Sequence, residues 1–70
     1  MKKTLLEITK NDLMTLDHFE SLKHRLESLG FITGTEIEVV KKISFEQVII
    51  VRIYQTLIAL NKMEFSCLKF

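Results

Sequence analysis

The sequence predicts a mostly β fold: a small, strongly bent antiparallel barrel of about five strands with one α-helix inserted early. Three observations carry this expectation. Phe19, Leu22, Leu26 and Leu29 recur at the three-and-four spacing of one helical face, and that spacing stops at Gly30. After Gly34 the period becomes two, with Ile37 and Val39 pointing one way and Glu36 and Glu38 the other. Further on, Val48, Ile49, Ile50 and Val51 form four consecutive β-branched residues, whose stiff χ1 disfavours a helix. The chain has two glycines, Gly30 and Gly34, and both lie at the switch from helix to strand, where positive φ is needed without the steric cost of a Cβ.

Seventy residues make one domain, near the lower size at which a chain folds unaided, and an apolar content of 47% marks a sequence built to form a core. A core this small leaves only about 3–5 kcal/mol of net stability. Cys67 is the single cysteine, and no Cys/His cluster has the spacing of a metal site, so neither a disulfide nor a structural metal staples the fold. An unpaired cysteine suits a reducing compartment. The formal charge of +1 is too balanced for a dedicated nucleic-acid binder, whose affinity rests on clustered cations. Met1-Lys2-Lys3 followed by Leu5 and Leu6 starts like a signal peptide, but Glu7 and Lys10 interrupt it, and the longest apolar run is far too short to span a bilayer. A cytoplasmic protein is expected.

In chain order, Thr4 to Ile8 is short and apolar, a docking turn or an edge strand, and the polar run from Thr9 to Asp12 is a turn. Leu13 to Leu16 reads as a second short strand. Asp17 is the expected N-cap, with Glu20 completing a capping box, for a helix from about His18 to Leu29. The strand after Gly34 runs to Ile43, and Ser44-Phe45-Glu46 is the next turn. Gln47 to Ile53 is apolar on both faces and should be central. Tyr54-Gln55 turns the chain into a strand from Thr56 to Leu60. Asn61 and Glu64 form a second capping box, which predicts a short helical turn at Lys62 to Phe65 before a terminal strand from Ser66 to Phe70.

The run Arg25-Leu26-x-x-Leu29-Gly30-Phe31-x-x-Gly34-x-x-Ile37-x-Val39 resembles the signature of the FeoA family, small cytosolic proteins of bacterial ferrous iron uptake with an SH3-like barrel. The likeness extends through Val51-Arg52-Ile53 and Ile58-Ala59-Leu60 and covers roughly Leu22 to Phe70. Three positions depart from the family pattern: Thr33 replaces a usual proline, Gln55 a glycine that often closes the hairpin, and Asn11 a common turn glycine. The resemblance implies an accessory or regulatory protein that binds the cytoplasmic GTP-binding region of the FeoB permease. It also leaves an alternative, a free-standing regulatory module related to the C-terminal SH3-like domain of metal-dependent transcriptional repressors. In either case Leu26, Leu29, Gly30 and Gly34 match the motif as determinants of the fold.

The remaining chemistry-bearing residues each admit a plain reading and a functional one. His18 and His24, six apart on a helix, fall on opposite faces; they are solvated surface residues, or one is a ligand in a site shared between subunits. Cys67 is a buried structural thiol, with nothing nearby in sequence to make it a nucleophile. Glu36 and Glu38 share a strand face and should be compensated by Lys41, Lys42 or Arg52. No nucleophile, phosphate loop or acid–base constellation appears, so an enzyme is not expected and no cofactor is implied. Lys23, Arg25, Lys41 and Lys42 are either a solvated basic face or a surface for an acidic partner, with Arg25 best suited to a bidentate carboxylate contact. Phe45 and Tyr54 lie at turn tips, folded back over the core or offered to that partner. Apolar residues on both faces of the central strand, together with an exposed edge, are compatible with a homo-oligomer.

Overall fold

Gly30 ends the helix as its position requires. In the computed structural model, which describes residues 2–70, helix α1 spans Leu16–Ser28, Leu29 is its C-cap, and Gly30 follows at φ +108°. The Gly30 N–H donates to the Glu27 carbonyl at 3.1 Å and the Phe31 N–H to the Leu26 carbonyl at 3.0 Å, the paired bonds of a Schellman stop. Leu26 and Phe31, the two side chains such a motif brings together, are both fully buried in the core. Gly34, at φ +93°, completes the reversal, and strand β3 starts two residues later.

The other elements are β1 (Lys2–Thr4), β2 (Glu7–Ile8), β3 (Glu36–Ile43), β4 (Val48–Ile53), β5 (Thr56–Asn61), α2 (Lys62–Ser66) and β6 (Leu68–Lys69). Antiparallel pairing gives a four-stranded sheet in the order β1-β3-β4-β5 and a two-stranded sheet of β2 with β6. The mostly β class with one main helix, consistent with a small SH3-like barrel, agrees with expectation. The segment read as one N-terminal piece divides between the sheets. Leu5 N–H donates to the Thr35 carbonyl at 2.8 Å, whereas Leu6 N–H donates to the Lys69 carbonyl at 2.7 Å, so the chain crosses from one sheet to the other within two residues.

Strand β4 is central, as its apolar faces suggest. Ile49, Val51 and Ile53 are buried and alternate with half-buried Val48, Ile50 and Arg52. Pairing with β3 slips by one residue between Val39 and Lys41, so Val40 sits in a β-bulge and is partly exposed. The capping box of α2 is present in full: the Glu64 N–H donates to Asn61 Oδ1 at 2.7 Å, and the Asn61 N–H donates to Glu64 Oε1 at 2.9 Å.

Four expectations need correction. Leu13 to Leu16 is not a strand, because Asn11 Oδ1 accepts from the Leu13 N–H at 2.9 Å and folds the segment into an Asx turn. Leu13 is left 85% exposed, Met14 is buried, and Leu16 opens the helix. The N-cap is Thr15, whose Oγ1 accepts from the His18 N–H at 3.2 Å. Asp17 lies instead in the first helical turn, where its charge complements the helix dipole. Leu29 is 45% exposed, since the buried stripe of the helix consists of Leu22 and Leu26 with Phe19 packed beside them. The terminal strand is only Leu68–Lys69, because Ser66 still belongs to α2 and Cys67 caps it.

The three departures from the family pattern find local accounts. Thr33 donates its hydroxyl to the Leu6 carbonyl at 3.1 Å, fastening the hinge to the N-terminal segment. Asn11 keeps negative φ and acts through its side chain, which also donates to Ser66 Oγ at 3.0 Å. In the β4–β5 turn the residue at positive φ is Tyr54, at +55°, rather than Gln55. That is the sign primed hairpin turns need at their first central position.

Candidate functional site

The end of the barrel formed by the β3–β4 hairpin and α2 has the features of a docking groove. Lys42 pairs with Ile49 and Ile43 with Val48, and the chain between them turns through Ser44 to Gln47. Gln47 takes φ +55°, and its carbonyl accepts from the Lys62 N–H at 3.1 Å, which fixes the start of α2 against the hairpin. Between the two elements lies a hollow of about 450 Å³, within the size range of ligand pockets. Ile43, Val48, Ile49 and Phe65 give it an apolar lining, and Lys42 and Lys62 supply its only charges. Phe45, at the hairpin tip, is 96% exposed. Glu46 stands beside it on the turn, outside the lining.

Three of the six residues expected to meet a partner, Lys41, Lys42 and Phe45, therefore share this end of the molecule. The other three do not join them. Tyr54 borders a hollow with Lys2, Gly34, Glu36, Glu38 and Arg52. There the charges answer one another: Arg52 Nη1 lies 2.8 Å from Glu38 Oε1, and Lys2 is the strand partner of Glu38 on its other side. Arg52 is thus the cation that offsets the Glu36–Glu38 pair, while Lys41 and Lys42 lie further along the strand. Lys23 lines a third hollow beside Glu7, Glu27 and Ile32. Arg25 is paired with Glu64, so its guanidinium links α1 to the capping box of α2.

Gly30 lies under Tyr54. A Cβ built on it would meet Ile53 Cγ2 at 3.5 Å and Tyr54 Cε2 at 4.0 Å, whereas one on Gly34 would meet nothing within 4 Å. His18 and His24 are exposed, and Cys67 is buried with its Sγ 3.9 Å from Met14 Sδ. Among the described residues, no three metal-ligating side chains converge.

Sequence reasoning missed Lys62, Phe65 and Gln47 as members of the groove. The Asn61–Glu64 box did signal a helical turn carrying Lys62 and Phe65. That the turn packs against a hairpin some fifteen residues earlier is a tertiary fact with no local signature.

The FeoA domain family model matches residues 4–69. No curated protein and no solved structure matches with significance. The match spans the N-terminal crossover, the Leu26 to Gly34 hinge, the β3–β4–β5 meander and the strand that follows α2. It thus includes every element that builds the groove, and the family is one of small accessory domains rather than of known enzymes. The chain belongs to the FeoA domain family, whose role is accessory to ferrous iron transport.

Proposed function

We propose that this protein acts in the cytoplasm by binding the GTP-binding region of a FeoB-type ferrous iron permease and modulating uptake, without turning over a substrate of its own. The observation that carries this reading is the family match over residues 4–69, in a chain of 70 residues. Two features support a protein partner over other classes. The formal charge of +1 is too balanced to supply the cation-driven affinity that nucleic-acid binding rests on. The hollow with an apolar lining, two cations and an exposed aromatic beside it has the composition of a surface that grips another macromolecule. Of the residues expected at the contact, Lys41, Lys42 and Phe45 carry this role. Tyr54 and Lys23 lie apart from them, and Arg25 is engaged within the chain.

Deletion of the gene tests the reading. Under iron limitation, ferrous iron uptake should fall in the deletion strain and return on complementation, and the permease's cytoplasmic region should co-purify with the protein. Normal uptake in the deletion strain refutes it.

A further inference from the structure

The groove has a charge pattern that selects its occupant. We infer that the hollow between the β3–β4 hairpin and α2 receives an acidic amphipathic segment of a partner protein. Its apolar side chains would rest on Ile43, Val48, Ile49 and Phe65 while its carboxylates meet Lys42 and Lys62.

Charge complementarity is the first support. Both charged residues lining this hollow are lysines, and neither makes an ion pair among the described residues. The other two hollows mix both signs and hold their own counter-charges: Lys2 and Arg52 with Glu36 and Glu38 in one, Lys23 with Glu7 and Glu27 in the other. An unbalanced pair of cations beside apolar side chains favours a ligand that is anionic and hydrophobic together.

The second support is the shape of the apolar surface. Phe45 projects from the hairpin tip at 96% exposure, next to lining residue Ser44 and separated from lining residue Gln47 by Glu46. A small molecule seated in the hollow would leave that ring in water. A peptide segment crossing the hairpin covers both. The groove is also held in shape in advance, since the Lys62 N–H bond to the Gln47 carbonyl fixes the start of α2 against the hairpin and the Asn61–Glu64 box caps that helix.

This inference rests on the preceding reading only for the identity of the partner, and the experiment separates the two. The isotope-labelled full chain is titrated, by chemical-shift perturbation, with a 12-residue amphipathic helical peptide bearing Leu on one face and Glu on the other. Its counterpart with Lys replacing Glu and the isolated GTP-binding region of the permease are titrated in parallel. The Glu peptide should shift residues 42–49 and 62–66, and the Lys peptide should bind far more weakly. The double variant K42E/K62E should weaken the Glu peptide roughly tenfold, the product of two rim charges at about 0.7 kcal/mol each. F45A should weaken it without altering its salt dependence, and K23E, in the separate hollow beside Glu7 and Glu27, should leave it unchanged.

Equal binding of both peptides, or shifts centred on the Tyr54 hollow or on β5 as for self-association, overturns the inference. If the permease region binds with shifts elsewhere, the groove is wrong and the function stands. If the Glu peptide binds at the groove while the permease region does not bind, the groove is right and the partner is wrong.

Discussion

Two reversals in this chain solve the same geometric problem by opposite means. The hinge from Leu26 to Gly34 and the hairpin turn from Ser44 to Gln47 each place backbone at positive φ. The hinge does it with two glycines, closes a pair of backbone hydrogen bonds and buries Leu26 and Phe31 directly beneath. The hairpin does it with Gln47, a residue that carries a Cβ, over four exposed positions that bury nothing. The first reversal is therefore tied into the core by its backbone bonds and by the side chains beneath it. The second leaves side chains free for contact with something else, and it borders the groove.

The comparison predicts unequal sensitivity to substitution. Leu26→Ala should have the largest effect, because it opens a cavity beneath the hinge at a fully buried site. Such truncations cost about 2–5 kcal/mol, comparable with the whole expected stability of a domain this size. Circular dichroism should show the variant largely unfolded at 37 °C. A cooperative transition within a few degrees of wild type would mean that the hinge is not seated on the core as described.

Gly30→Ala comes next, at about 1–3 kcal/mol. The added methyl would sit 3.5 Å from Ile53 Cγ2, an ordinary contact, so the cost lies in the backbone at φ +108° rather than in a clash. Gly34→Ala, at φ +93° over open space, should cost a similar amount. Urea denaturation can compare them. A much larger loss at Gly30 than at Gly34 would show instead that packing under Tyr54 dominates.

The hinge was legible in the sequence because glycine and the change of hydrophobic period are local signals, and so was the Asn61–Glu64 box. What failed to show was competition between local options. Asn11 captured the Leu13 N–H and converted an apolar run that looks like a strand into a turn. That shift moved the helix start back to Leu16 and made Thr15 the cap in place of Asp17. The groove proposed to meet a partner was legible only in part. Lys41, Lys42 and Phe45 are close in sequence and stay together in space. Arg25 looked free only because its counter-ion, Glu64, lies 39 residues away, a distance no local pattern spans.

The start of α1 extends the comparison to a position with no buried support. Thr15→Ala removes the hydroxyl that accepts the His18 N–H and should cost about 1 kcal/mol. Asp17→Ala removes only a favourable charge in the first turn, worth about 0.3–0.5 kcal/mol and diminished by salt. Thermal melts at low and high ionic strength separate them, because the Thr15 effect should persist in salt and the Asp17 effect should fade. The reverse order would restore Asp17 as the cap.

An effect about as small as that of Asp17→Ala but opposite in sign is the sharpest test of the contrast between the two reversals. An L-residue in the left-handed region costs about 1–2 kcal/mol relative to its right-handed form. Glycine avoids that cost but loses about 0.5–1 kcal/mol through the greater freedom of the unfolded chain. Gln47→Gly should therefore stabilise the domain by about 0.5 kcal/mol, a rise of about 2–4 °C in Tm for a chain of this length. The backbone bond from the Lys62 N–H to the residue 47 carbonyl survives the change, so α2 keeps its anchor. A fall in Tm would mean that the Gln47 side chain holds the hairpin through contacts of its own. The turn would then be a second structural hinge, not a strained and exposed loop at the edge of the proposed groove.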